Sequence, residues 1–185
     1  MMFVGLRNWS VGYLGVKVKP LSLSDEAKNN VVLAKETVAY VEGYMTVGAS
    51  NKIGDVVQSV GMSMVCVLSM RAETGESAGS DLLATFREWA EAAKTSGCGN
   101  CGEQAAIAFI RLYDLGIRPL DYMQVTNGDH AFVLIGRRDG DAHAVSKWGP
   151  HAVVCDPWKE EAYPADGIGK ELGRKATFGS IYRIT

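Results

Sequence analysis

The chain has 185 residues, 47% of them hydrophobic and 22% charged, and its 19 basic and 21 acidic side chains leave a net charge of −2. That length can bury a substantial core without disulfide staples, and a near-neutral chain with no basic stripe does not suit a nucleic-acid phosphate backbone. The longest apolar stretch, Val60 to Met70, is too short and too interrupted to span a bilayer, and Arg7, Asn8 and Trp9 occupy the place where a signal peptide needs its apolar run.

In chain order, the first twenty residues mix Val, Tyr, Trp and Gly and predict one or two short strands before Pro20. Ser24 is the cap of a helix running toward Tyr44, whose buried face is Val31, Ala34, Val38, Val41 and Met45. After the break at Gly48 to Asn51, the segment Ile53 to Met70 reads as a second helix with internal glycines. Arg71 to Ser80 reads as a loop. Ser80 is then placed to cap a third helix carrying Leu82, Leu83, Phe86, Trp89 and Ala93 on its core face. The turn Ser96 to Gly102 leads at once into a fourth helix with Ala105, Ala108, Phe109 and Leu112 inward, ended by Gly116.

The period then changes from helical to extended. Tyr122 to Thr126 predicts a strand, Asn127-Gly128 a hairpin turn, and His130 to Gly136 an apolar strand. A further strand, His151 to Cys155, is stopped by Asp156-Pro157, and Ile181 to Ile184 adds a last one. Helices first and an antiparallel sheet second make the class α+β. The expectation is a single catalytic domain over 1–185, mainly helical over 1–95 and with its chemistry in 96–160.

Cys101 follows a glycine-rich turn and opens an apolar-faced helix. A helix start offers unpaired backbone N–H groups and partial positive charge, which favour a thiolate and can also receive an oxyanion. Gly99 and Gly102 leave room for a substrate to approach the sulfur. A thiolate needs a base, and the base an orienter. His130, opening the most apolar strand, fits the first role. Asp156, ending the next clear strand, fits the second, and Trp158 stands two residues on, where it can shield the His–Asp hydrogen bond from water.

Three stretches taken together, Gly99-Asn100-Cys101-Gly102-Glu103-Gln104-Ala105, Asp129-His130-Ala131-Phe132-Val133 and Val153-Val154-Cys155-Asp156-Pro157-Trp158, resemble the core of the papain-like and transglutaminase-like cysteine hydrolases, and particularly their compact bacterial effector and toxin domains. The resemblance covers Gly97 to Trp158. It implies a Cys101–His130–Asp156 triad, a helix bearing the cysteine packed on an antiparallel sheet bearing His and Asp, and no cofactor or metal. It further implies a protein substrate in a target cell, an immunity or inhibitor protein as partner, and residence in the bacterial cytoplasm or delivery by a specialised secretion system. Glutamine deamidation is the favoured reaction, on the expectation of a shallow site at the helix end; proteolysis and transglutamination are the alternatives. Papain has a glutamine donor shortly before its cysteine where this chain has Lys94, Thr95 and Ser96. Asn100 is then the nearest side-chain candidate for the oxyanion, beside backbone N–H groups.

The same residues admit plainer readings. Cys101 also reads as a small buried residue, or as half of a Cys98-x-x-Cys101 zinc knuckle or dithiol in an interaction domain, and the fold as a shell without catalysis. Cys98 is the rival nucleophile and a candidate regulatory partner for Cys101. Cys66, among Met62, Met64 and Val65, reads as a buried apolar residue. His130 can be a strand-end histidine bonded to a carbonyl, and Asp156 a simple turn cap. His143 and His151 read as solvated, Asp129 as a poor orienter, and Glu103 and Gln104 as helix-start residues.

Overall fold

A computed structural model describes residues 23–74 and 81–185. The strands expected before Pro20, and Ser80, lie outside the described residues. Among the described residues six helices, α1 (Asp25–Glu42), α2 (Ile53–Gln58), α3 (Met62–Thr74), α4 (Leu82–Ser96), α5 (Cys101–Asp114) and α6 (Ile168–Glu171), accompany five strands, β1 (Leu120–Val125), β2 (Ala131–Ile135), β3 (Val153–Asp156), β4 (Glu161–Pro164) and β5 (Phe178–Ile184). The strands form one sheet in the order β4-β3-β2-β1-β5, with every pairing antiparallel. The class is α+β.

Helices α1 and α4 form where capping and periodicity agree. Ser24 accepts the Ala27 N–H at 3.1 Å to start α1, which buries Ala34, Val38 and Val41. The cap of α4 is Asp81, which accepts from the N–H groups of Leu83 and Ala84. This corrects the reading of Ser80 as the cap: a carboxylate in the N-cap position takes two orphan donors. The apolar segment 53–70 is helical but divided. Val60 and Gly61 both take positive φ (52° and 81°) and separate α2 from α3. Helix α2 has no buried residue, and Ile53, Val57, Met62 and Leu68 are exposed along the pair.

The main core lies where α5 crosses the sheet. Ala105, Ala108, Phe109 and Leu112 are fully buried, and Phe86 of α4, Tyr122 of β1 and Ile135 of β2 join them. Helix α1 packs on β3 and β4, and its start is tied to the chain before β3 by Ser24 Oγ to His151 Nδ1 at 2.8 Å. His151 therefore holds a helix start rather than lying free in solvent. A second core on the opposite face gathers Phe132, Leu134, Trp148, Val154 and Phe178.

Cys66 of α3 is disulfide-bonded to Cys98, with a Cα–Cα separation of 6.2 Å. Two readings are thereby corrected. Cys66 is half of a cross-link and only partly buried, because its α3 position faces the turn before α5 and not the core. Cys98 is spent on that bond, so it is neither a rival nucleophile nor a disulfide partner of Cys101, and the Cys98–Cys101 knuckle falls with it.

Candidate active site

Asn100 is the N-cap and Cys101 the first residue of α5. The first intrahelical bond runs from Gln104 N–H to Asn100 O at 3.0 Å, so the N–H groups of Cys101 and Gly102 are not used by the helix ladder. The turn is firmly held. Glu103, almost fully buried, accepts the Asn100 N–H through Oε2 at 2.9 Å and the Arg71 guanidinium of α3 through Oε1 at 2.7 Å. Gln104 donates from Nε2 to Gly99 O at 2.8 Å. Both residues thus do more than favour a helix start. The Tyr122 hydroxyl donates to Gly102 O at 2.9 Å, its ring stacked on Phe86 at 4.2 Å. A Cβ on Gly99 would come within 2.9 Å of the Glu103 Cβ, so that glycine admits Glu103 rather than a substrate.

The sheet delivers the other two groups. β2 and β3 pair with Val133 opposite Cys155, which sets Asp156, at the end of β3, close to the start of β2 where His130 stands. His130 Nε2 meets Asp156 Oδ2 at 2.6 Å. Cys101 lines the same cavity as the ring and interacts with it electrostatically, and with Nε2 facing the carboxylate, Nδ1 is the nitrogen left on the side of the sulfur. The structure thus places Cys101 and His130 on one cavity and pairs His130 with Asp156. Asp156 is fully buried, and its Oδ1 accepts the Lys159 N–H at 3.2 Å, so the turn after β3 fixes the carboxylate.

These contacts control the charge on the imidazole. Burial alone would push the His130 pKa down, but the hydrogen bond to the negative Asp156, with the electrostatic interaction of the Cys101 side chain, outweighs it and raises the value to about 9. At neutral pH the ring therefore favours its protonated form. The Trp158 ring lies edge-on to the imidazole with centroids 5.4 Å apart.

Cys101, Gly102 and His130 open on a cavity of about 740 Å³. Its walls include Met70, Phe86 and Trp89 on the helical side and Gln124, Asp129 and Ile181 on the sheet side. Helices α3 and α4 line the cavity beside the cysteine through Met70, Arg71, Phe86 and Trp89. Asn100 also borders the cavity, but its Oδ1 accepts from Ser50 N–H at 2.9 Å, Ser50 Oγ at 3.0 Å and Asn51 N–H at 3.3 Å, so the residue pins the loop after α1.

The chain matches no protein-family model and no curated protein.

Cys155, buried beside α1, points its sulfur at Ala34 O, and burial pushes its thiol pKa up, away from reactivity. His143 makes a backbone contact to Asp141 in the turn before β3, away from Cys101. Among the described residues no group of three or more His, Cys, Asp and Glu side chains is arranged to hold a metal ion, and no helix is long and apolar enough to cross a membrane. Sequence reasoning missed Asn51, Arg71 and the Phe86–Trp89 wall. Asn51 sits in a Gly-Ala-Ser-Asn break that carries every mark of a connector, and the wall residues carry the same apolar signal as any core face.

Proposed function

We propose that the protein is a thiol-dependent amide hydrolase acting on a protein substrate, with Cys101 as nucleophile, His130 as acid and base, and Asp156 as the residue that orients the imidazole. The observation that carries this reading is the hydrogen bond of His130 to the buried Asp156 at a cavity that the helix-start Cys101 also lines. The thiolate adds to the amide carbonyl and gives a tetrahedral oxyanion. Collapse breaks the C–N bond as the imidazolium passes its proton to the departing nitrogen, leaving a thioester. The neutral ring then takes a proton from water, hydroxide adds to the thioester, and the carboxylic acid and thiolate separate.

The favoured amide is a glutamine carboxamide, which releases ammonia; the resemblance itself spans deamidases, proteases and transglutaminases. The volume of the cavity supports a second reading, peptide-bond cleavage, because 740 Å³ holds more than one amide-bearing side chain and lies within the usual range for a ligand pocket. Intact-protein mass spectrometry of a susceptible cell extract separates the two. Deamidation exchanges NH₂ for OH with the chain unbroken, whereas proteolysis makes new termini. Neither product should form with Cys101→Ala, and retained activity in that variant would overturn the mechanism.

A further inference from the structure

Building on the thiol-hydrolase reading, we infer that Asn51 supplies the side-chain donor to the oxyanion, through an amide that Trp158 holds in place. Asn51 borders the same cavity as Cys101, Gly102 and His130, although fifty residues separate it from the cysteine. Its Oδ1 lies 2.8 Å from Trp158 Nε1. An indole nitrogen can only donate, so the carbonyl side of the amide must face the tryptophan, and the NH₂ group is what Asn51 has left to offer. The loop beneath it is fixed by the same turn that carries the nucleophile, since Asn100 Oδ1 accepts from the backbone of Ser50 and Asn51 and from the Ser50 hydroxyl. Asn100 has its acceptor turned to the loop and so positions Asn51. Asn51 and the N–H groups at the start of α5 form the pair of donors that an oxyanion requires. Trp158 then serves twice, with its ring edge against the base and its N–H on the donor.

The experiment compares two reagents that share the nucleophile and differ in whether an oxyanion forms. Iodoacetamide alkylates the Cys101 thiolate by displacing iodide at a saturated carbon, so no carbonyl oxygen gains charge. p-Nitrophenyl acetate acylates the same sulfur through a tetrahedral oxyanion and releases p-nitrophenolate. Asn51→Ala, on an exposed loop, should slow acylation at least tenfold while leaving alkylation within about twofold. An activated ester needs less help than an amide, for which losing one donor costs about 10²–10³. Trp158→Phe, which keeps an aromatic ring and removes the indole N–H, should show the same split in smaller measure. Equal losses with both reagents would mean that Asn51 only supports the fold around Cys101, and unchanged acylation would mean that it gives nothing to the oxyanion; either overturns the inference. A wild-type Cys101 inert to both reagents would instead overturn the thiol-hydrolase reading itself.

Discussion

At the level of single residues, the site works through the charge on His130. Its pKa of about 9 predicts that activity depending on the imidazolium–thiolate pair persists through neutral pH and falls on an alkaline limb near that value. Asp156→Asn should move the limb down toward the ordinary histidine range near 6.5, because the carboxylate charge is lost while an amide oxygen can still accept from the ring. A pH–rate profile checks this, and an unmoved limb would show that Asp156 does not set the charge. His130→Ala should cost more than Asp156→Asn, on the order of 10²–10⁴ in rate, since base and acid vanish together. Stability follows the same titration. A folded pKa above the unfolded one means that the contribution of His130 is complete below about 6.5 and is lost as pH rises through about 9. For this side chain, 12% exposed, that amounts to at most on the order of 3 kcal/mol. Urea midpoints measured across that window should decline in the wild type and change less in His130→Ala.

Among the elements, two cross-connections hold the scaffold that the site needs. In β1, Asp121 is fully buried and bridged by Arg137 through two hydrogen bonds of 2.7 and 3.1 Å, with Arg183 of β5 and the Ser180 hydroxyl completing its shell. Asp121→Ala leaves the buried Arg137 cation without its partner, and should cost about 3–5 kcal/mol of unfolding free energy. Denaturant melts measure it, and a loss below 1 kcal/mol would show that water or another acid takes over. The other connection is the Cys66–Cys98 bond, which fastens α3 to the turn that leads to Cys101 across 32 residues. On chain-entropy grounds a ring of that size stabilises by about 3–4 kcal/mol. The Cys66→Ser, Cys98→Ser double variant should lose roughly that amount, and the wild type should fall to the same midpoint once reduced. Neither connection was legible beforehand. A lone Asp in an apolar strand looks like an outward-facing residue, and Cys66 sits among apolar neighbours that suggest burial, whereas its partner is decided by how α3 lies on α4. Helix starts and faces, by contrast, were written locally: Ser24, the α5 face and the Asn127-Gly128 turn each follow from a few adjacent residues.

For the molecule as a whole, what could be read ahead of the structure was whatever lay close in sequence or repeated with a period. The order of helices before sheet was visible, and so was the pairing of His130 with Asp156, because strands β2 and β3 are neighbours in both sequence and space. β4 was missed, since Glu161-Ala162-Tyr163-Pro164 is short, polar and ends in proline. The cavity and the Asn51–Trp158 contact were invisible because they depend on segments separated by tens of residues, whose approach is fixed by packing and not by local pattern. The cross-link that joins two of those segments also makes residues 66 to 98 a closed covalent ring. A protease that cuts once anywhere inside that ring adds a water molecule and frees nothing. The nicked protein would migrate as a single species until a reductant splits it in two, so integrity judged on a reducing gel and integrity judged in solution would give different answers for the same sample.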